Sequence, residues 1–516
     1  MSEPVFRALW IATIASNLGT WMQDVGESWL MVSFTKSPML VALVETAGSL
    51  PVVLLALPAG AFADLIDRRR LLLVTQTWML VIAALMGVLT LIGLMSPWSL
   101  LLLTFTLGLG SAINSPAWQA IVPELVPQNE LPAAMTLTSV AFNVARAVGP
   151  AFGGLLVAAA GSGAVFFLNA ASFLGVIVVI YRWNRVPEKH TTPREHVWGA
   201  MRAGIRYVRH APEVESVLIR TGVFIFCASA LWALLPLQSR TKLGLGAVGY
   251  GVLLGCLGTG AVLGAGLLSR VRAEISNDML VHVASVLFAL ATFALAHSRM
   301  VSLIAGAMLL GGVAWIACMS SFNTAAQTVA PAWARGRVLA LFTLVLLGGL
   351  AVGSAAWGAV ASRLSISYAL DLAALGLIAG LLASLRYRLI KGEDLSLTPW
   401  VHWPEPVAVV TPKPEQGPVL VTVEYRIDPG RAPEFRRAMR DMRRLRRRDG
   451  AFRWGLYSDT SDPGRFVETF LVESWAEHLR QHTRTVEADR KIEERAFAFH
   501  LGDGRPQSTH LIAEHV

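Results

Sequence analysis

The stretch LLLVTQTWMLVIAALMGVLTLIGLM, residues 71–95, contains no charged side chain and directly follows Arg68, Arg69 and Arg70. A helix needs about 20 apolar residues to cross the ~30 Å hydrocarbon core of a bilayer, so this stretch is long enough to span a membrane. Basic residues beside a span stay on the cytoplasmic side. The stretch therefore predicts a membrane helix that starts at the cytoplasmic face.

The same pattern recurs along the chain. Of the 516 residues, 54% are hydrophobic and 15% are charged, whereas soluble proteins contain about 25% charged residues. This composition argues against a soluble enzyme and predicts an all-α polytopic membrane protein. Its twelve predicted transmembrane helices are residues 6–34, 39–62, 71–95, 97–121, 131–160, 164–181, 216–237, 246–268, 278–296, 301–322, 338–361 and 366–385.

Twelve spans place both termini on one side of the membrane. Basic residues concentrate on that side, at Arg68, Arg69, Arg70, Arg182, Arg185, Lys189, Arg270, Arg272, Arg335, Arg337, Arg386, Arg388 and Lys391. We therefore expect both termini in the cytoplasm and a multi-pass protein of a bacterial-type plasma membrane. The formal charge of +9 then reflects topology and not a nucleic-acid partner. The first span carries Asp24 and Glu27 and is too long for a signal peptide, so we expect it to be retained.

Two polar stretches repeat between the halves of the apolar region. NSPAWQAIVP at 114–123 aligns with NTAAQTVAP at 323–331, and AVGPA at 147–151 aligns with AVGSA at 351–355. We predict two six-helix pseudo-repeats, residues 1–190 and 216–391, joined by a cytoplasmic loop at 191–215. Such repeats place a substrate site between them near the midplane. The alternative is that glycine- and alanine-rich membrane helices resemble one another by composition.

The loop GAFADLIDRRRL, residues 60–71, resembles the signature loop of the major facilitator superfamily. Gly60 and Asp64 match that pattern, whereas Leu65 and Asp67 replace its arginine and second glycine. The resemblance implies the major facilitator fold and a conformational latch of Gly60, Asp64, Asp67 and Arg68, in which Asp64 lies near a helix N-terminus of the other half. The alternative is that the arginines only mark the cytoplasmic side.

RAVGPAFGG, residues 146–154, combines small residues, which permit close helix contact, with a proline that removes a backbone hydrogen bond. We expect a kinked, tightly packed helix. The stretch resembles the antiporter motif of exporters in the superfamily, carried by Gly149, Pro150, Gly153 and Gly154, although Ala145 replaces the usual first glycine. A plain packing face is the alternative.

Arg146 lies about halfway along its span, where an arginine costs roughly 2.5–3.5 kcal/mol to insert. It needs a partner or a watery cavity. Asp24, Glu27 and Glu45 are candidate partners, and the sequence does not decide which of them pairs with Arg146. A carboxylate in a partly dry cavity can exchange a proton near neutral pH, as proton antiport requires. Glu27 and Glu45 could instead reach water at the outer interface. Further candidates for lining the cavity are Asn17, Asn114, Gln119, Asn143, Asn169, Asn323 and Gln327.

The composition changes after residue 391 to a proline-rich linker, 392–417, and a charged segment, 418–516. Val421, Val423 and Tyr425 alternate as in a strand, whereas Phe435, Met439, Met442 and Leu445 recur at helical spacing. We predict a cytoplasmic α+β domain of order βαββαβ, with a third strand at 466–475 and one helix at 480–499. It resembles the ferredoxin-like domain of the antibiotic-biosynthesis-monooxygenase group.

Two features of this segment invite other interpretations. Eight arginines between 436 and 448 form a basic helix. Such a helix could bind anionic lipid or RNA, but we interpret it as a solvated face near a negatively charged membrane. His478 and His482 have a spacing that can hold a metal, but no third ligand is recognisable, so we predict no metal site. The three cysteines lie in apolar runs and indicate neither disulfides nor thiolate ligands.

With this tail, the chain resembles the transmembrane secretion effector family, the enterobactin-exporter-like branch of the superfamily. The resemblance implies proton-driven export of a siderophore, drug or secondary metabolite by a monomer without a cofactor or catalytic residues. No Walker-type loop is present, so ATP is not the predicted driving force. Two alternatives are a membrane-tethered monooxygenase acting through the tail and a non-transporting receptor or scaffold.

Overall fold

The computed structural model describes residues 4–183, 204, 206–389, 398, 412–502 and 504–514, without the side chains of 56–65, 120 and 483. The chain folds as two compact units. One unit comprises Met1–Thr192, Leu218–Asn323 and Ala340–Arg388, and the other comprises Pro193–Val217, Thr324–Leu339 and Leu389–Val516. The second unit thus combines the tail with two segments that the sequence assigned to the predicted loop and to the second membrane half.

Helices build the apolar part of the chain. They are α1 (Pro4–Phe34), α2 (Pro38–Leu65), α3 (Arg68–Leu91), α4 (Pro97–Leu125), α5 (Leu131–Arg182), α6 (Pro212–Thr241), α7 (Ala247–Glu274), α8 (Asn277–His297), α9 (Val301–Thr328), α10 (Ala332–Arg363), α11 (Ile366–Gly380) and α12 (Ala383–Arg386). We call α1–α5 the first half and α6–α12 the second half.

Ten helical segments of the described chain are long and apolar enough to cross a membrane, fewer than the twelve predicted. The difference has two causes. Helix α1 carries Arg7, Asp24 and Glu27, which lower its hydropathy. The predicted spans 131–160 and 164–181 form one 52-residue helix, α5, whose backbone turns at Gly161 (φ 79°, ψ 167°). A straight helix of that length would measure about 78 Å, more than twice the hydrocarbon thickness.

Several helix starts are fixed by local side chains. Ser96, Ser276 and Ser365 each accept a hydrogen bond from the backbone N–H three residues ahead, at 3.2 Å. Asp67 does the same for the Arg70 N–H at 3.0 Å. These caps satisfy N–H groups that have no partner inside the helix. They allow the short loops that the sequence predicted between spans.

Each half packs its fifth predicted span on the second helix of the other half. A Cβ atom on Gly154 of α5 would lie 2.5 Å from the carbonyl oxygen of Ala247 in α7. A Cβ atom on Gly358 of α10 would lie 2.6 Å from Cβ of Ala42 in α2. Small residues allow these backbones to approach. Helix α5 thus packs on α7 and α10 packs on α2, so both contacts join the fifth predicted span of one half to the second span of the other.

Polar contacts between the halves gather toward the end of the bundle where α1 finishes and α2 begins. Arg240 donates to the Val32 carbonyl at 2.6 Å, and the Met39 N–H donates to Ser362 Oγ at 3.0 Å. The Trp29 ring stacks on Tyr250, with centroids 6.2 Å apart. The halves therefore hold together at the end opposite to that where α1 begins.

The tail contains β1 (Val419–Arg426), α13 (Ala432–Asp449), β2 (Arg453–Ser458), β3 (Arg465–Val472), α14 (Trp475–Arg484), α15 (Glu487–Phe497) and β4 (Gln507–Ile512). The strands pair antiparallel in the order β2-β3-β1-β4. The four predicted strands and the helix after β1 appear in the predicted order. Two predictions were wrong: Trp475 begins a helix that Ser474 caps instead of ending a strand, and the single helix predicted at 480–499 is two helices.

The core of the tail lies between the sheet and α13. Val421, Val423 and Tyr425 are fully buried on one face of β1, and Phe435 and Met439 of α13 pack against them. Tyr425 and Phe435 contact with centroids 5.2 Å apart. The predicted strand and helix faces are therefore confirmed as the core of this region.

The basic helix α13 is not purely a solvated face. Arg446 is buried and pairs with Glu468 at 3.4 Å and Glu493 at 3.1 Å. Arg448 pairs with Asp489 at 2.6 Å. The interpretation that all eight arginines face solvent was wrong for these two, because acidic side chains from β3 and α15 reach them inside the domain.

Further contacts join the tail to the other segments of its unit. Glu477 of α14 accepts hydrogen bonds from Arg206 at 2.8 Å and from Arg484 at 2.7 Å. The Arg484 guanidinium lies 4.9 Å from the Trp333 ring centroid, and the same ring contacts Tyr207. The tail is therefore anchored within its unit through one buried acid and one tryptophan.

Candidate functional site

A cavity of about 780 Å³ lies within the first half, between α1, α2, α3, α4 and α5. Asp24, Glu27 and Glu45 all line it. Among its described lining residues there is neither lysine nor arginine. The three acids that the sequence singled out therefore share one cavity, and no basic residue among its described lining residues balances them.

Glu27 is held by a chain of hydrogen bonds. Its carboxylate accepts from Gln23 Nε2 at 2.7 Å and from Thr104 Oγ1 at 2.9 Å. Gln23 Oε1 in turn accepts from Asn169 Nδ2 at 2.6 Å. The Glu27 residue is 4% exposed, so the alternative that its side chain simply reaches interfacial water was wrong.

The other two acids are less enclosed. Asp24 is exposed and Glu45 is half-buried, and both open onto the same cavity as Glu27. Asp24 and Glu27 lie three residues apart on one face of α1, whereas Glu45 comes from α2. The three carboxylates that line the cavity thus differ in burial, from buried Glu27 through half-buried Glu45 to exposed Asp24.

The polar candidates divide into two groups. Asn17, Asn114, Gln119 and Asn169 line the cavity, and Asn114 Oδ1 accepts from Thr75 Oγ1 at 2.9 Å. The other predicted residues, Asn143, Asn323 and Gln327, are not among its lining residues. Asn143 instead donates to the carbonyl of Ser139 in its own helix at 2.8 Å.

Sequence reasoning missed Gln23 and Thr104, which hold Glu27, and Gln76, which lines the cavity. A signal for Gln23 was available, because it precedes Glu27 by four residues and therefore lies on the same helical face. Thr104 lies on another helix, and nothing in the spacing connects it to Glu27.

Arg146 lies among three tryptophans instead of beside an acid. Its guanidinium carbon is 5.9 Å from the ring centroid of Trp21, 6.0 Å from that of Trp232 and 5.8 Å from that of Trp315. In the part of the chain that the structure describes, no salt bridge joins Arg146 to a carboxylate. The prediction that Asp24, Glu27 or Glu45 pairs with it is not met, because aromatic faces surround the charge.

Close packing of α5 sets the position of Arg146. A Cβ atom on Gly149 would lie 2.7 Å from Trp21 Cβ, and one on Gly153 would lie 2.9 Å from Met22 Cα. On the other side, a Cβ atom on Gly258 of α7 would lie 2.6 Å from the Arg146 carbonyl oxygen. The tight packing predicted for α5 is confirmed. Its break lies at Gly161 and not at Pro150, which keeps helical φ and ψ.

The predicted latch is described only in part. Asp67 caps α3, and Arg68 pairs with Glu124 of α4 at 2.5 Å, so both contacts stay inside the first half. Arg69 donates to the Ile180 carbonyl at 3.1 Å and thereby joins the end of α5 to the same loop. The side chain of Asp64 is not described, and Gly60 lies in the same stretch, 56–65.

Two histidines of the tail lie together with a third. His478 Nε2 and His482 Nε2 are 3.3 Å apart, and the His510 ring centroid is 4.6 Å from that of His478. Burial, followed by the neighbouring charges of His482 and His510, lowers the pKa of His478 to about 3. His510 was missed by the sequence because it lies on β4, far along the chain from α14.

Comparison with known proteins agrees with this architecture. Residues 1–516 match the family described as transmembrane secretion effector. The staphyloferrin A transporter of Staphylococcus aureus is 24% identical over 53% of this chain and 69% of its own length. The enterobactin exporter EntS of Salmonella typhi is 24% identical over 76% and 93%, and the multidrug efflux pump Tap of Mycolicibacterium fortuitum is 26% identical over 73% and 95%.

A solved bacterial homologue of the human lysosomal transporter Spinster, in an inward-facing and unoccupied conformation, has the same helical fold. The TM-score is 0.56 at 15% identity, over 75% of this chain and 96% of that one. The matched family is one of transporters and not of enzymes, so the alternative of a tail-borne monooxygenase loses its support. The chain belongs to the transmembrane secretion effector family of major facilitator superfamily transporters.

Proposed function

We propose that this protein exports a small molecule by alternating access, in exchange for protons. The proposal treats the helical part as twelve transmembrane helices in two six-helix pseudo-repeats. Helix α1 is the first span, since its acids face a cavity and need not face lipid, and α5 supplies two spans that meet at Gly161. The reciprocal contacts of α5 with α7 and of α10 with α2 support the duplication.

The observation that carries proton coupling is the cluster of Asp24, Glu27 and Glu45 in one cavity, whose described lining residues include no lysine or arginine. Carboxylates that share a low-dielectric site without a cation cannot all ionise cheaply. At least one of them can therefore take up a proton from one side and release it to the other. Glu27, held by two neutral donors, is our choice for the coupling residue.

The roles of the other predicted residues follow from alternating access. Gly149, Pro150, Gly153 and Gly154 form the packing surface on which the halves separate and close. Gly60, Asp64, Asp67 and Arg68 form a latch at the opposite end of the bundle. The pair between Arg68 and Glu124 supports a role for this loop in tying neighbouring helices together.

The substrate class follows from similarity to exporters. Relatives include proteins named as a staphyloferrin A transporter, an enterobactin exporter and a multidrug efflux pump. We propose that this chain exports a siderophore, a drug or another secondary metabolite from a bacterial cytoplasm. The partners in this proposal are the plasma membrane, the exported molecule and the proton, with a monomeric transporter and no nucleic acid.

The domains are proposed as residues 1–190 and 216–391 for the membrane halves, 191–215 for the central loop, 392–417 for the linker and 418–516 for the tail. Both termini lie in the cytoplasm in this proposal, because Arg68, Arg69 and Arg70 adjoin the start of α3. The sheet order β2-β3-β1-β4 supports a ferredoxin-like tail.

The test uses everted membrane vesicles with an acidic interior and a pH-sensitive dye. A panel of siderophores and amphipathic drugs is added to wild type, Glu27→Gln and Glu215→Gln vesicles that contain equal amounts of protein. Glu215 is exposed at the start of α6 and lies outside the cavity, so it controls for the loss of a carboxylate.

We expect one compound class to release protons from wild-type and Glu215→Gln vesicles, and the response to fall at least tenfold in Glu27→Gln. Proton release that is equal in all three proteins would remove Glu27 from the mechanism. Substrate uptake without any proton movement, measured with the compound itself, would refute proton coupling while leaving export in place.

A further inference from the structure

The cluster of Arg146, Trp21, Trp232 and Trp315, which we call the arginine–tryptophan site, is assembled from both halves of the transporter. Trp21 comes from α1 and Arg146 from α5, whereas Trp232 comes from α6 and Trp315 from α9. The Trp232 and Trp315 rings meet edge to face, with centroids 5.4 Å apart. The site thus lies where the two halves meet, as a substrate site of an alternating-access transporter must.

Two hydrogen-bond donors of this site have no acceptor among the described residues. Arg146 Nε and Trp232 Nε1 are both buried and make no hydrogen bond in the described structure. Buried N–H groups are almost always paired in folded proteins, because losing water without a replacement costs free energy. Orphaned donors on two neighbouring side chains therefore indicate a place for an acceptor that the described residues do not supply.

The aromatic rings do not replace such an acceptor. All three centroids are 5.8 to 6.0 Å from the guanidinium carbon, at the outer limit of ~6 Å for a cation–π contact. No carboxylate of the described chain forms a salt bridge with Arg146, and Glu27 is already held by Gln23 and Thr104. No carboxylate of the described chain therefore pairs with the guanidinium, and its Nε–H group remains available to donate.

We propose that the arginine–tryptophan site binds a planar aromatic oxyanion, such as an aromatic carboxylate or phenolate. The oxyanion would accept from Arg146 and Trp232, since guanidinium groups form strong, often bidentate, hydrogen bonds to carboxylates. The ring of the ligand would pack against the tryptophan faces. A cationic ligand would be repelled by Arg146. This inference rests on the proposed export function and specifies the chemistry of its substrate.

The test measures equilibrium binding of salicylate to the purified full-length protein by calorimetry, with salicylamide as the neutral analogue of the same size. We expect salicylate to bind at least tenfold more tightly than salicylamide. Arg146→Gln should lose at least tenfold in salicylate affinity, and Arg146→Lys should lose less, because it keeps the charge but not the planar fork.

Matched controls separate this site from general effects. Arg299 and Trp98 are exposed and lie outside the cluster, so Arg299→Gln and Trp98→Phe should bind salicylate like wild type. Trp315→Phe and Trp232→Phe should bind it more weakly. Thermal melting of every variant, compared with wild type, identifies any protein that has failed to fold.

Equal affinity for salicylate and salicylamide would overturn the proposal, as would wild-type affinity in folded Arg146→Gln or the absence of binding to wild type at millimolar concentration. Because binding is measured without a proton gradient, it is independent of transport. Salicylate binding without transport would refute the proposed export function and leave the binding site in place. Proton-coupled export of other compounds without salicylate binding would refute the binding site and leave the export function in place.

Discussion

A single methyl group at Gly154 is expected to shift the conformational equilibrium of the transporter. The Cβ atom of Gly154→Ala would lie 2.5 Å from the Ala247 carbonyl oxygen and 3.1 Å from Gly251 Cα. Ordinary contact begins near 3.4 Å, so the two helices would have to separate by about 0.9 Å. Both obstructing atoms belong to the backbone, which cannot rotate away as a side chain could.

Overpacking of this kind costs about 1–3 kcal/mol. That cost applies to the conformation in which α5 and α7 touch, and not to one in which they have separated. A difference of this size changes the ratio of two conformations about 5- to 150-fold. Gly175→Ala is the matched control, because Gly175 lies in the same helix and an added Cβ would meet nothing within 4 Å.

Spin labels on Lys36→Cys and Leu364→Cys report the distance between the halves at the end where they touch. Cys227, Cys256 and Cys318 are replaced by alanine so that no other thiol reacts. We expect Gly154→Ala to populate longer distances than the parent protein, and Gly175→Ala to resemble it. Identical distance distributions in all three proteins would refute the reasoning that this contact holds one conformation.

Two predictions concern the tail and are measured by amide hydrogen exchange in the intact protein. Glu468→Gln leaves buried Arg446 with one acid fewer and should lower the free energy of unfolding of the tail by roughly 3–5 kcal/mol. Glu424→Gln removes the partner of Arg465 on the partly exposed rim and should lower it by about 1 kcal/mol or less. Equal protection in both variants would contradict this prediction. Because the pKa of His478 is lowered to about 3 in the folded tail and is about 6.5 when unfolded, its contribution to stability is present above pH 6.5 and is lost as the pH falls toward 3. Asp449, whose pKa burial raises to about 6, acts oppositely, so its contribution is present below about pH 4 and lost as the pH rises through 6. His478→Gln should therefore lose less protection than wild type between pH 7 and pH 4, and parallel losses would exclude His478 as the cause.

Hydropathy predicted where most helices lie, because lipid exposure demands a long apolar stretch whatever the neighbouring helices are. The span predicted at 97–121, for example, appears as Pro97–Leu125 with Ser96 as its cap. The break between the predicted spans 131–160 and 164–181 was also located, since the backbone of α5 turns at Gly161. What hydropathy did not predict is that helical structure resumes directly after this one residue, without a loop. Helix α1 was the harder case for hydropathy, because the side that lines the cavity need not be apolar and carries Asp24 and Glu27.

The candidate site was predictable where the signal lies within one helix. Asp24 and Glu27 share a face of α1 through their spacing, and both line the cavity. The environment of Arg146 was not predictable in this way. Trp232 and Trp315 count as ordinary apolar residues in a hydropathy scan, and they reach Arg146 only through packing between the halves.

Arg146 and Glu27 do not pair with each other, and this separation makes the proposed proton coupling compatible with the proposed oxyanion binding. An ion pair between Arg146 and Glu27 would hold the carboxylate ionised and would occupy the guanidinium donors. Proton exchange and oxyanion binding would then each require that pair to break, at the cost of leaving two buried charges uncompensated. The structure instead gives Glu27 neutral donors, Gln23 and Thr104, and surrounds Arg146 with aromatic rings. Each group therefore stays free to change its own partner during transport, which is why replacing Glu27 should disturb protons first and replacing Arg146 should disturb the substrate first.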